Sequence, residues 1–193
     1  MSPRLAIFAA AVAAFALPAV AEPVRYEIDP SHTFPSFEAD HLGGLSTWRG
    51  KFNTTSGTVT MDREAGAGEV DILIDTDSVD FGHDGMNAHA RREDIFDVAR
   101  FPAATYRGKL VDFVDGRPTR VDGELSLRGV SLPVPLAIER FKCMEHPRLK
   151  KEVCGADATA TFQRDAFGIV IGKDNGFDMG ILLRIQIEAR AAD

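Results

Sequence analysis

Apolar and polar side chains alternate one by one along much of this chain, and that period of two limits the accessible folds more than any other feature. Val70, Ile72 and Ile74 alternate with Asp71, Leu73 and Asp75, and Val121, Gly123, Leu125 and Leu127 with Asp122, Glu124, Ser126 and Arg128. The same beat runs through Leu132, Val134, Leu136 and Ile138, and again through Ile181, Leu183, Ile185 and Ile187. Segments of this kind are half-buried strands, with one face on a core and the other in water. Asp115-Gly116-Arg117-Pro118 and Arg128-Gly129 carry the turn chemistry of antiparallel hairpins, so consecutive strands are expected to pair as neighbours. The beat lapses from about Asp84 to Val98, where Met86 to Arg92 and Asp94 to Asp97 read as one or two short helices. The expected fold is all-β, an antiparallel up-and-down barrel of about eight strands with a short helical insert around residues 84–98, because closure leaves no edge unpaired. A two-sheet sandwich shares the same alternation and stays open as an alternative.

Ahead of the strands, Arg4, the apolar run Leu5 to Leu17 and Ala19-Val20-Ala21 have the layout of an export leader cleaved after Ala21. The apolar run, about 13 residues, is shorter than the roughly 20 that span a bilayer, so no stable membrane insertion is expected after the leader is removed. No shift of composition divides residues 22–193, which are expected to form one exported domain. Loss of Arg4 makes the remainder one unit more negative than the −7 of the whole chain, which disfavours nucleic acid and anionic membrane surfaces as partners. In an oxidising compartment Cys143 and Cys154 are expected to close as a disulfide. A Cys/His metal site with His146 is the competing reading, but it lacks the paired CxxC spacing of zinc sites, and no metal is expected.

Candidate chemistry is sparse. Of the five histidines, none sits in an HExxH pattern or an i, i+4 pair, and there is no GxSxG elbow or phosphate-binding glycine loop. His32 and His41 read as imidazoles satisfying loop backbone groups, or as polar contacts at a pocket mouth; acid/base catalysis on a lipid or quinone head group is the weaker alternative. Gly43-Gly44 reads as a bend in a curved strand, and Arg91-Arg92 as a solvated face or, alternatively, a basic lip near the helical insert. The informative stretch is Ala156, Ala158, Ala160 and Phe162, small residues on one strand face opposite Asp157, Thr159, Thr161 and Gln163. Either large neighbours such as Phe37, Trp48, Phe52 or Phe113 fill the space they leave, or the barrel holds an apolar guest, which gains about 0.8 kcal/mol per buried methylene.

The succession Tyr26-Glu27-Ile28-Asp29-Pro30-Ser31-His32-Thr33, Phe37, His41-Leu42-Gly43, Ser46 and Gly50-Lys51-Phe52 resembles the YceI-like family of exported proteins. Ile74-Asp75-Thr76-Asp77-Ser78-Val79-Asp80, Ile95-Phe96-Asp97-Val98 with Phe101-Pro102, Gly123 to Val130, Cys154 to Ala158 and Phe167-Gly168 extend the likeness in order over nearly the whole of residues 22–193. The resemblance implies an extended, lipocalin-like barrel in the periplasm that binds, carries or stores a long-chain polyisoprenoid or isoprenoid quinone in an apolar channel, without catalytic residues or a catalytic cofactor. It places Phe37, Ala39 and His41, then Trp48, Gly50 and Phe52, on inward positions. With the inward beat of the strands, the expected lipid-binding residues are these (Gly50 aside) together with Ile72, Ile74, Phe96, Tyr106, Leu125, Leu127, Leu136, Ile138, Ala156, Ala158, Ala160, Phe162, Ile185 and Ile187. A stress-response or assembly factor with a solid core is the alternative function, and an outward strand face could carry a homodimer contact.

Overall fold

The computed structural model describes residues 22–193, so the expected leader and its cleavage after Ala21 lie outside the described residues. Twelve strands are present: β1 Val24–Ile28, β2 Phe34–His41, β3 Ser46–Phe52, β4 Thr55–Asp62, β5 Ala67–Asp75, β6 Val79–Asp80, β7 Ala103–Val111, β8 Arg120–Leu127, β9 Val130–Pro133, β10 Leu136–Glu145, β11 Glu152–Gln163 and β12 Gly180–Ala191, with one helix, α1, Asp84–Ala90. Every pairing is antiparallel, and β12 joins β11 on one side to β1 and β2 on the other. The sheet therefore closes into a barrel, which excludes the sandwich.

Twelve strands make eight staves because several are halves of one bent ribbon. β1 and β2 both lie along β12, against Ala189 to Ala191 and Ile181 to Gln186 respectively. The corner between them is built by Asp29, whose carboxylate accepts from the Ser31 amide and hydroxyl at 3.0 and 2.6 Å, and by Thr33, which bonds Glu188 of β12 through both its donor and its acceptor. β3 and β4 are likewise one ribbon, broken at Asn53 and Thr54, whose amides are taken by Ser78. The beat from Leu132 to Ile138 reads as a single strand, but it is split into β9 and β10, both on β8. Pro133 and Pro135 bring no N–H to the ladder there, and Val134 alone donates, to the Gly123 carbonyl at 2.8 Å.

The hairpins follow their turn residues. Arg128 and Gly129 at φ 52° and 76°, and Asp115 and Gly116 at 51° and 70°, both adopt the left-handed pair that matches strand twist. Leu42, Gly43 and Gly44, at φ 54°, 62° and 93°, form the tip of the β2–β3 hairpin and are not a bend within one strand. The Gly43 and Gly44 amides are both capped by the Asp40 carboxylate.

The helical insert is shorter than residues 84–98. α1 starts where His83 Nδ1 accepts from the Met86 amide at 3.2 Å and ends at Arg91; the chain then turns through Asp97, at φ 49°, so no second helix forms. Arg91 is partly exposed but tied down. Its guanidinium donates to the Asp77 carbonyl at 2.9 and 2.7 Å and pairs with the Asp77 carboxylate, pinning the helix to the segment before it.

Inward residues of the staves form the core, among them Tyr26, Ile72, Ile74, Tyr106, Val121, Leu125 and Ala158. The outer face carries cross-strand ion pairs such as Asp71–Arg107, Asp157–Arg140 and Glu38–Arg184, which add little stability because their arginines stand in solvent. Cys143 and Cys154, directly opposed on β10 and β11, are disulfide-bonded. His146 stands apart from them, accepting from the Arg148 and Leu149 amides in the next turn. No helix among the described residues is long and apolar enough to cross a membrane.

Candidate ligand cavity

Alanines on β11 pair with long aliphatics on β12: Ala156 with Ile187, Ala158 with Ile185 and Ala160 with Leu183. Such small-against-large pairing shapes the interior without filling it, and two cavities lie end to end inside the barrel. The larger, about 330 Å³, sits at the end carrying the insert and the β11–β12 connection; the smaller, about 120 Å³, lies toward the disulfide end. Pro35, Ile74, Tyr106, Leu136 and Ile185 line both and form the waist between them.

Most of the expected inward residues meet at these walls. Phe37, Ala39, His41, Trp48, Phe52, Phe96, Leu125, Leu127 and Phe162 line the larger chamber, and Ile72, Ile138, Ala156, Ala158 and Ile187 the smaller. Ala160 lines neither; it packs against the core, and its cross-strand partner Leu183 reaches the larger chamber at that level. Phe113 also packs on the core without reaching either chamber.

The larger chamber is ringed by aromatics. Phe37 touches Phe52, Phe81 and Phe96 with ring centroids 5.7, 5.5 and 6.0 Å away, and Trp48 stands 4.9 Å from the His41 ring. Gly50 is flush beneath this cluster: a Cβ there would lie 2.7 Å from Phe37 and 2.9 Å from Phe81. At the waist, the Tyr106 hydroxyl donates to the Val134 carbonyl at 2.9 Å, and burial pushes its pKa up. The smaller chamber is bounded by Tyr26, whose hydroxyl donates to Glu152 at 2.7 Å while Glu152 pairs with Arg63; burial and the neighbouring Glu152 carboxylate raise the phenol to about 12.

Two connections contribute walls that the period of two does not mark. Phe81, Met86, His89, Ala90 and Ile95 come from the stretch between β5 and β7, and Arg164, Ile169, Ile171 and Phe177 from that between β11 and β12. The second stretch carried a signal: Phe167, Ile169, Ile171, Phe177 and Met179 are more apolar residues than a solvated loop needs. Arg164 is the one buried cation among the described residues, 8% exposed. Its Nη1 and Nη2 donate to the carbonyls of Ile169 and Ile171 at 3.4 and 2.8 Å, and its Nε has no partner among the described residues. Burial lowers its pKa, against the opposing fields of Asp165, Asp40 and Asp178.

The histidines weighed for acid/base roles differ in setting. His32 is exposed at the β1–β2 corner, 3.1 Å from the Asp29 carboxylate that raises its pKa, and lines neither chamber. His41 lines the larger chamber between Trp48 and Phe177. Cys143, Glu152 and Cys154 are close enough to suggest metal ligands, but both sulfurs are spent in the disulfide.

Residues 26–191 match the YceI-like domain. The chain belongs to the YceI-like family. Among YceI-like relatives, a UPF0312 protein of Vibrio parahaemolyticus is 35% identical over 141 residues, 70% of this chain and 74% of its own. Protein YceI of Escherichia coli O157:H7 is 35% identical over 119 residues, 61% of each chain. The fold is shared with BcnA of Burkholderia cenocepacia, at a TM-score of 0.65 and 20% identity over 83% of this chain and 98% of that one. It is shared also with a polyisoprenoid binding domain from Saccharophagus degradans, at a TM-score of 0.64 and 19% identity over 88% and 99%.

Proposed function

We propose that this YceI-like barrel binds a polyisoprenoid or isoprenoid quinone between its staves, as a periplasmic carrier or store. The observation that carries the reading is the pair of apolar chambers meeting at a shared waist, in a fold for which one structural neighbour is a polyisoprenoid binding domain. The residues taken to contact the chain are the inward ones that line the two chambers.

Scale sets the mode of binding. A dry cavity of about 150 Å³ takes up benzene, so the larger chamber, at about 330 Å³, holds a short isoprenoid segment as it stands. A longer chain has to move rings of the Phe37 cluster and pass Tyr106 to reach the smaller chamber. Each methylene buried returns about 0.8 kcal/mol, so a few carbons offset the displacement of one ring. Affinity then rises with chain length until both chambers are occupied.

Native mass spectrometry and solvent extraction of the protein purified from periplasm test the reading. The expected result is one isoprenoid lipid per barrel. Protein that carries no lipid and fails to take up farnesol in vitro would overturn it.

A further inference from the structure

Arg164 is out of place in a chamber built for hydrocarbon alone. A guanidinium withdrawn from water is costly unless its charge is met, and here its hydrogen bonds go only to two loop carbonyls, while Asp165, Asp40 and Asp178 act on it through space without bonding it. No carboxylate pairs with it among the described residues: Asp165 is engaged by Lys173, Asp40 by the Gly43, Gly44 and Asp178 amides, and Asp178 by the Gly180 amide. Its Nε–H remains without a partner on a residue that lines the larger chamber. Loop clamping explains Nη1 and Nη2 but leaves the Nε–H unanswered. An arginine is suited to oxyanions, which it can bind through two adjacent N–H groups.

We infer that Arg164 anchors a head group: the larger chamber takes a chain amphiphile that ends in an anionic oxygen, carboxylate or phosphate, set against this guanidinium. The inference rests on the cavity reading above and adds a direction to it. The polar end lies at the β11–β12 connection, and the tail runs past Phe37 and the waist toward Ala156 and Ala158. Without an anion the guest is held by burial alone and has no preferred orientation.

Trp48, the single tryptophan, lines the same chamber and provides the signal for a fluorescence titration. Farnesoate, farnesyl monophosphate and farnesol share one tail, and the saturated hydrocarbon farnesane keeps the same carbon skeleton without a head group. The expected result is that at least one of the two anions binds at least about tenfold more tightly than farnesol, the scale of a charge-assisted hydrogen bond in a buried site; which anion leads identifies the source of the oxygen. Arg164→Gln should bring the anions level with farnesol, while Arg164→Lys should keep most of the preference. Should Arg164→Gln fail to fold, Arg164→Met, which keeps the apolar stem without the charge, takes its place with the same expected and overturning results. Farnesol or farnesane binding as tightly as both anions overturns the anchor and leaves the cavity reading standing, whereas no probe binding at all overturns both. A preference for the anions that survives Arg164→Gln assigns the head group elsewhere and also defeats the inference.

Discussion

Gly123 on β8 is the most exposed weakness of the waist. A Cβ added there would lie 2.2 Å from the Tyr106 hydroxyl oxygen and 2.3 Å from its Cζ, far inside any tolerable contact. The backbone of Gly123 is not among the left-handed positions, so Gly123→Ala adds no left-handed backbone strain to the packing effect. The ring has to swing toward the channel and give up its bond to the Val134 carbonyl. Overpacking costs about 1–3 kcal/mol and a lost buried hydrogen bond about 1 kcal/mol, offset by about 0.5–1 kcal/mol from the stiffer unfolded chain. The net expectation is a loss of about 1–3 kcal/mol, or roughly 3–10 °C in Tm for a chain of this size. Urea and thermal unfolding of wild type and Gly123→Ala, repeated in a Tyr106→Leu background, measure it. In that background the alanine should cost less than about 0.5 kcal/mol, since the clashing atoms are gone. A full-sized loss there, or wild-type stability for Gly123→Ala alone, would refute the claim that Tyr106 is wedged at the waist by the missing side chain.

Other expectations follow from the same geometry. The disulfide joins residues 11 apart in sequence, so Cys143→Ala with Cys154→Ala should lose about 3 kcal/mol in urea unfolding, and reductant should have no further effect on that variant. Asp29 is held at about 2: burial opposes this, but hydrogen bonds from Ser31 and His32 outweigh it. Its contribution is therefore present above about pH 4 and lost as pH falls toward 2. Asp29→Asn should flatten the acid limb of the stability profile over that window and leave its slope above pH 5 to other groups. Ala156→Leu narrows the smaller chamber, and competition among isoprenoids of increasing length should then level off at a shorter chain than in wild type.

The staves were legible because each carries its core residues at every second position, as in Val70, Ile72 and Ile74. Their joints were less so. Pro133 and Pro135 interrupt hydrogen bonding without disturbing the hydrophobic beat, so β9 and β10 look continuous in sequence although the ladder breaks between them. Arg91 resembled a surface residue because nothing local shows that its guanidinium folds back on Asp77. Alternation also assigns a face but not a neighbour, which is why Ala160 shares a side with Ala158 yet Leu183 reaches the chamber at its level. Walls drawn from the connections, Phe81, His89, Ile169 and Phe177 among them, have no period to betray them. Arg164 hid behind the habit of placing charge in solvent at the end of a strand.

The central claim is that a guest lies inside the barrel. Isotope-filtered NOE spectroscopy of the labelled protein with unlabelled farnesol addresses it most directly, because each methyl of the guest reports its neighbours. Cross-peaks to Ile74, Leu136 and Ile185, the residues shared by both chambers, are predicted, with Phe37 on one side of them. Cross-peaks confined to outward side chains such as Leu73 or Val114, with silence from the waist, would contradict the account.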